Sequence, residues 1–376
     1  MCYTTPMHIR SLAVTNFRNY KNQSLTLSDG VNIFSGSNGM GKTNLLEAVY
    51  LCSIGKSART PRDKELIKWE ETSAKVKLEV LKSSGDESVE IVLSKTENKR
   101  VKINGMPVSR LGELMGVVST VFFSPTELKI VQGSPSERRS FIDIAVCQIS
   151  KAYFYLLTRY NKILAQRNRL LKSGKLTDDA LEIWDMQLAS EGAKVIKTRK
   201  GFIKELAPFA SQHHEFLSGD KEKADIFYEG LTGETIEELK DAFLLALKKD
   251  REKDKKNGYT HTGPHKDDLS IKINGIDIRT YGSQGQQRTA ALSLKLAELS
   301  LNNKTKQEKP VLLLDDVLSE LDLTRQKRLM QCIKGYQTLI TCTHLEQEIE
   351  SSLGSVGNDY VKFKVENGEA NLLLNT

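Results

Sequence analysis

Eight consecutive residues constrain this chain more than anything else in it: Gly36-Ser37-Asn38-Gly39-Met40-Gly41-Lys42-Thr43. They fill the pattern G-x-x-x-x-G-K-[ST] completely. Before them stands an apolar stretch, Val31-Asn32-Ile33-Phe34, and after them a helical pattern from Thr43 to Ser53 with Leu45, Leu46, Val49 and Leu51 on its buried side. A strand, a glycine turn and a helix in that order are what the chemistry of the pattern needs. Glycines let the backbone wrap until successive N–H groups point at one spot, and the helix N-terminus adds the positive end of its dipole there. Such a concavity takes phosphate. Lys42 is placed to reach the β and γ phosphates of ATP and the Thr43 hydroxyl to ligate Mg2+, with Asn44 and the loop residues completing the nucleotide site.

A second stretch supplies the other half of such a site. Val311 to Leu314 is a continuous apolar run, which fits a central parallel strand covered on both faces, and it ends in Asp315-Asp316. Carboxylates there fall at the ligand crevice of an open α/β sheet. Asp315 is expected to hold Mg2+ through water, and Asp316 to orient or deprotonate the attacking water. Alone, the pair reads as a solvated turn after a strand. Beside a complete phosphate loop, the catalytic reading wins.

Between these stretches the periodicity changes twice. Val76, Leu78 and Val80, then Val89, Ile91 and Leu93, then Val101 and Ile103 alternate with polar residues, and Asn104-Gly105 follows. Period two with one wet face means antiparallel sheet. From about Ser136 the spacing becomes three and four, as in Tyr153, Leu156, Leu157, Tyr160, Ile163 and Leu164. Further helical stretches fall around Trp184–Phe202 and Ile236–Lys249, with loops near Lys172–Asp179 and Ser218–Lys223. Ile271–Ile278 reads as a hairpin around Asn274-Gly275. Helix at Thr289–Leu301, strand at Val311–Leu314, helix at Leu323–Ile333, strand at Thr338–Thr341 and a hairpin turning at Asn367-Gly368 complete the chain. The expected fold is therefore α/β, a mixed sheet plus an antiparallel β subdomain, split in sequence. Residues 1–145 plus 258–376 form the head, and 146–257 an inserted helical lobe.

Bulk properties agree without deciding anything. A length of 376 residues suits two lobes, and 55 Lys+Arg against 48 Asp+Glu leave a charge of +7, compatible with a polyanion partner but not demanding one. Five scattered cysteines, Cys2, Cys52, Cys147, Cys332 and Cys342, contain no C-x-x-C pair and point to a reducing compartment. The opening MCYTTPMHIR has no apolar core of signal-peptide type, and no apolar run approaches the ~18 residues of a membrane span. A soluble, cytoplasmic protein without a membrane partner is expected.

Three further motifs gain meaning beside the phosphate loop. Ser283-Gln284-Gly285-Gln286-Gln287 opens the Thr289 helix, about thirty residues before the Asp-Asp strand. An S-x-x-Q capping box accounts for Ser283 and Gln286 by itself. The same layout resembles the signature sequence of ABC-type ATPases, in which the serine, the glycine backbone and the helix dipole bind the γ-phosphate held by the opposite protomer. Both readings use one exposed helix N-terminus. Ser319-Glu320-Leu321-Asp322 stands where those ATPases carry the D-loop, with Asp322 equally able to N-cap the next helix. His344 follows the Thr338–Thr341 strand where they keep a switch histidine.

Taken with Asn16-Phe17-Arg18-Asn19-Tyr20, Arg59-Thr60, Asp63-x-Glu65-Leu66-Ile67, Gly133-Ser134-Pro135, Arg138-Arg139 and Thr262-Gly263-Pro264-His265-Lys266-Asp267-Asp268, these motifs resemble the RecF family over nearly the whole chain. The resemblance implies an ABC-type P-loop ATPase head and a DNA-repair ATPase with slow, DNA-dependent hydrolysis. RecF proteins dimerise on ATP, bind DNA at gaps and duplex–single-strand junctions, and work with RecO and RecR to load RecA. Asp316 stands where ABC transporters carry glutamate, a shorter reach to water that fits slow turnover. The Q-loop contact to Mg2+ is left unassigned, Gln132 being the nearest candidate.

Other signals carry less. His261, His265, Asp267 and Asp268 resemble a zinc set only loosely, because Gly263-Pro264 breaks the spacing and no cysteine is near; a structural or nucleotide-sensing loop is expected. The mixed-charge run Lys248–Lys256 reads as a solvated helix face, with tracking of phosphates as the alternative. Lys56, Arg59 and Arg62, just past the phosphate-loop helix, are the DNA-contact candidates. Rival readings are an SMC-like structural head, a P-loop nuclease, the nucleotide subunit of a membrane transporter, and a protein that uses ATP as glue and hardly hydrolyses it. No long heptad array supports the first and no added carboxylate cluster the second, and a helical insertion of this length with basic stretches speaks against the third.

Overall fold

Strands in which apolar and polar side chains alternate form one sheet, as that pattern requires when a single face is buried. The computed structural model describes residues 7–173, 178–344 and 360–373. Numbered along the chain, the sheet holds β1 (His8–Phe17), β2 (Tyr20–Thr26), β4 (Ser73–Leu81), β5 (Glu87–Ser94), β6 (Arg100–Ile103) and β7 (Met106–Val108). Their order is β2-β1-β4-β5-β6-β7, antiparallel throughout. Asn104 and Gly105 turn the last hairpin at φ of 52° and 78°, the left-handed pair that a two-residue turn demands.

Four runs buried along nearly their whole length supply most of a second sheet, and the alternating strand Tyr360–Glu366 joins them. Its parallel strands are β3 (Val31–Ser35), β8 (Thr120–Phe123), β12 (Val311–Asp315), β13 (Thr338–Cys342) and β14 (Tyr360–Glu366). They lie in the order β14-β3-β13-β12-β8, and β15 (Glu369–Leu373) adds antiparallel to β14. Every residue of β12 and β13 is buried, as the run at Val311 anticipated.

Helix α1 (Lys42–Ile54) lies between the two sheets, against β1, β4 and β5 of one and β8, β12 and β13 of the other. This corrects the expectation of a single buried side. Glu47, Tyr50 and Ser53 are buried together with the leucines, because both faces meet a sheet.

These elements belong to one of two compact units, Met1–Glu127 with Phe216–Lys221 and Leu292–Thr376; the other is Leu128–Glu215 with Glu222–Ala291. The second unit contains α2 (Lys129–Gln132), α3 (Pro135–Ile149), α4 (Lys151–Ser173), most of α5 (Asp178–Ser218) and α6 (Ile236–Asn257). It also holds β9 (Ala224–Glu229), β10 (Asp268–Ile273) and β11 (Ile276–Asp277), in the order β11-β10-β9, and α7 (Ile278–Tyr281). Helix α8 (Gln284–Lys306) begins there, and α9 (Leu323–Cys332) belongs to the first unit. By contact the chain divides after Glu127 and after Ala291, since α3 packs on α4 and on β10, while the change of period falls near 145 and 258. Division by contact and division by the change of period are thus different cuts.

Strand β9 has no counterpart among the strands expected from the sequence, and α5 runs well beyond Trp184–Phe202 at both ends, with Pro208 inside it. The loop expected at Lys172–Asp179 lies partly outside the described residues, as does Cys2. Among the described residues the cysteines are free thiols, and no helix is long and apolar enough to cross a membrane.

Candidate functional site

The phosphate loop joins β3 to α1, and its glycines are there for geometry. Gly36 (φ 155°) has the Val365 carbonyl oxygen 2.2 Å from where a Cβ would stand. At Gly41 (φ 115°), the α1 N-cap, a Cβ would meet Asn19 Nδ2 at 2.6 Å. No other residue fits either place.

Neighbouring segments hold the loop from outside. Asn19 Nδ2 donates to the Met40 carbonyl (2.8 Å), Tyr20 Oη donates to the Gly41 carbonyl (3.2 Å), and Gly368 N also donates to Met40 O (3.2 Å). Asn44 Nδ2 in turn donates to Asn19 Oδ1 at 2.8 Å. Arg18 places Nε and Nη2 each 2.8 Å from the fully buried carboxylate of Glu47, which also accepts from Ser57 Oγ at 2.5 Å. The roles of Arg18, Asn19 and Tyr20 are not readable from the motif, since each acts on a residue more than twenty positions away.

Lys42 is buried and folds over the loop, donating to the carbonyls of Gly36 (2.5 Å) and Ser37 (2.9 Å). Next to it, Asp315 Oδ1 accepts from Thr43 Oγ1 (2.7 Å) and Thr341 Oγ1 (2.8 Å). Burial raises the Asp315 carboxyl above its ordinary range, although both hydroxyls pull it down. Hydroxyl and carboxylate oxygens side by side suit a hard divalent cation such as Mg2+, with which Asp315 would be held ionised.

Asp316 follows β12 in the left-handed region (φ 53°), a strained place for a residue with a side chain. Its N–H donates to Thr341 Oγ1 at 2.9 Å. Its Oδ1 is buried with no hydrogen-bond partner among the described residues, the position of an acceptor kept for a donor from a ligand or a water. A cleft of about 240 Å³ opens here, lined by Asn38, Gly39, Lys42, Thr43, Arg59 and Asp316 among others. The loop and the Asp-Asp strand expected to act together are therefore in one place.

The remaining candidates are more dispersed. Ser319 Oγ donates to the Asp316 carbonyl (2.8 Å), tying the D-loop candidate to that turn. Asp322 N-caps α9 through Arg325 N at 3.0 Å. His344 is exposed at the end of a described segment. Lys56, Arg59 and Arg62 are all exposed; Arg62 reaches Glu65 at 3.6 Å, and Arg59 Nη1 donates to Asn44 Oδ1 at 3.0 Å at the rim of the cleft.

In the second unit, Ser283 and Gln286 form the reciprocal capping box: Gln286 N donates to Ser283 Oγ (3.2 Å) and Ser283 N to Gln286 Oε1 (2.9 Å). Ser283 and Gln284 are exposed, and a Cβ on Gly285 would meet nothing within 4 Å. The helix N-terminus is open. Gln132 Nε2 donates to Gln287 Oε1 at 2.6 Å, within this unit.

The Thr262–Asp268 block is a clamp of polar groups satisfied by protein. Tyr160 Oη and His265 Nδ1 lie 2.6 Å apart, and burial lowers His265 to about 4. Arg199 donates to Asp143 (2.8 Å) and to the Pro264 carbonyl (2.6 Å). Arg138 grips Asp268 with two bonds of 2.6 and 2.9 Å, Tyr228 Oη bonds Asp267, and His261 Nδ1 lies 2.7 Å from Asp254 Oδ1. Burial raises Asp267 to about 6. Each candidate ligand of the imagined zinc set is thus engaged by a different partner.

Comparison with known proteins follows the same lines. The family model described as the RecF/RecN/SMC N terminal domain matches residues 8–365. The DNA replication and repair protein RecF of Lachnoclostridium phytofermentans is 46% identical over 350 residues, covering 92% of this chain and 96% of that one. The solved structure of the recombination mediator protein RecF with ATP, of the RecFOR pathway, superposes with a TM-score of 0.91 at 38% identity, covering 99% of both chains. An Smc head bound to the C-terminal winged-helix domain of ScpA shares the fold alone, at TM-score 0.57 and 16% identity.

Proposed function

The chain belongs to the RecF family of DNA replication and repair proteins, within the ABC/SMC type of ATPases, and on that premise we propose that it is an ATP-driven DNA clamp of recombinational repair. Membership of this family sets aside the transporter-subunit and SMC-head alternatives. The observation that carries the reading is the junction of Thr43, Asp315 and Asp316 at the mouth of the phosphate loop.

Lys42 exchanges its two carbonyl partners for the β and γ phosphate oxygens of ATP, and the backbone N–H groups of Gly36 to Asn44 surround them. Thr43 and Asp315 hold Mg2+. When bound, that ion neutralises charge growing on the transferred phosphoryl group. Asp316 aligns the attacking water and accepts its proton, while His344 and the D-loop residues Ser319 and Asp322 complete the site. The shorter side chain of Asp316 keeps hydrolysis slow, so ATP acts as a switch more than as fuel.

The signature Ser283-Gln284-Gly285-Gln286 contributes in trans: its open helix N-terminus meets the γ-phosphate held by a second copy. ATP therefore drives a homodimer, and the dimer grips DNA at gaps or duplex–single-strand junctions. Lys56, Arg59 and Arg62 contact the phosphates there. The head, residues 1–145 plus 258–376, performs the chemistry, and the helical lobe 146–257 joins in the grip. RecR, RecO and RecA are the partners, in the cytoplasm.

Phosphate release by the full chain, with and without gapped duplex DNA, tests this. Slow release that rises with DNA is expected. No release under either condition leaves ATP as a glue, and release indifferent to DNA removes the coupling.

A further inference from the structure

We propose that β9 is a docking edge for an acidic, extended peptide segment of a partner protein. The inference is independent of the nucleotide site. Among the described residues, strand β9 pairs with β10 alone. Lys223 and Asn274 fix which of its backbone groups point at β10: Asn274 N donates to Lys223 O, and Lys223 N donates to Asn274 Oδ1, both at 2.9 Å. Inward and outward pairs alternate along an antiparallel ladder. Asp225, Phe227 and Glu229 therefore turn their N–H and C=O groups toward Lys272, Ser270 and Asp268. Ala224, Ile226 and Tyr228 turn theirs outward, and no backbone partner meets them among the described residues.

The free edge does not face open water on a flat surface. A groove of about 460 Å³ runs along it, walled on the other side by α5 at Ile203, Ala207 and Pro208. Phe227, 53% exposed, adds an aromatic surface. An incoming strand of five residues, roughly 14 Å long, would match the three outward backbone pairs and drop alternate side chains onto this apolar wall. Natural proteins blunt such an edge with charge, and here the charge selects the guest as well. Lys200, Lys204 and Lys223 line the groove against one carboxylate, Asp225. Lys200 donates to the Gly233 carbonyl (3.0 Å) and its charge also acts on Asp267, so Lys204 and Lys223 supply most of the groove's excess of positive charge. An acidic strand is the complementary occupant.

A nucleic-acid backbone would also meet the lysines. Its phosphates, however, only accept hydrogen bonds, and they would press against the outward carbonyls of Ala224, Ile226 and Tyr228. A peptide offers donors and acceptors in the alternation the edge presents.

The test uses the full chain and a fluorescent ten-residue peptide of alternating aspartate and valine. Saturable binding is expected, weakened by about tenfold or more in the Lys204→Glu/Lys223→Glu double variant. Amide hydrogen exchange on the unsubstituted chain gives a readout that needs no variant. Peptide should slow exchange at Ala224, Ile226 and Tyr228 and leave Asp225, Phe227 and Glu229 as they were. Three outcomes overturn the proposal. One is no saturable binding. Another is an oligothymidylate that binds with the same lysine dependence while the three amides exchange freely, which makes the groove a nucleic-acid surface. The last is protection of those amides that grows with protein concentration in the absence of peptide, which makes the occupant a second copy.

Discussion

Arg18→Ala should destabilise the protein by about 3 kcal/mol, and the figure comes from what the arginine leaves behind. Its guanidinium makes two 2.8 Å bonds to Glu47, whose carboxylate has no exposed surface, while Arg18 itself keeps 20%. Breaking a buried pair costs about 3–5 kcal/mol, because the surviving charge stays in a low dielectric without its partner. Two contacts soften the loss: Ser57 Oγ at 2.5 Å and Arg59 at 3.7 Å. The lower end of the range is therefore expected. Adding Glu47→Gln removes the stranded charge, so the double variant should lie about 1–2 kcal/mol above the sum of the single ones. Urea unfolding with a common slope measures all three. ATP affinity should fall in Arg18→Ala as well, since Glu47 stands about one turn along α1 from Thr43. A cost for Arg18→Ala within about 0.5 kcal/mol of zero would refute the reasoning, as that is the range of an ordinary surface change.

Three other outcomes are expected. Asp316→Asn should bind ATP normally and release phosphate about a hundredfold more slowly; release at the unsubstituted rate removes Asp316 as the residue that handles the water. Gly36→Ala should abolish ATP binding, because its Cβ would stand 2.2 Å from the Val365 carbonyl oxygen; a normal calorimetric titration would show that the loop tolerates the shift. Asp267 titrates at about 6 against an ordinary 3.8, so its contribution to stability is full below 3.8 and is lost as pH rises through about 6. Asp267→Asn, which cannot ionise, should then exceed the parent by up to about 3 kcal/mol near neutral pH, with the gap closing as pH falls toward 4; a gap that does not vary with pH contradicts the cause given.

What the sequence made legible was local. The phosphate loop, the apolar β12 and the alternating β4 to β6 announce themselves within ten residues, because the period or the glycine pattern is itself the physical requirement. What stayed hidden depends on residues far apart. That α1 is enclosed by two sheets, with Glu47 needing Arg18, cannot be read from either stretch alone. Strand β9 is short, and its outer face carries Asp225 and Glu229, so its pattern is weak until β10 pairs with it. Histidines and aspartates in the Thr262–Asp268 block are chemically ambiguous by type; only their partners, Tyr160, Arg138 and Asp254, show a clamp. Ser283 is the opposite case, since the capping box is fully formed and explains the residue without any second copy.

That last point makes the trans signature the most exposed part of the account, and sedimentation of mixed variants tests it directly. Ser283→Arg should bind ATP as a monomer and fail to dimerise, because a bulky cation blocks the helix N-terminus. Lys42→Ala should fail for want of ATP. Mixed, the intact loop of the first chain faces the intact signature of the second at a single composite site. The account predicts an ATP-dependent heterodimer with partial phosphate release where neither variant alone gives any. Dimerisation of Ser283→Arg with ATP to the unsubstituted extent would contradict it, and would leave Ser283 as a helix cap and nothing more.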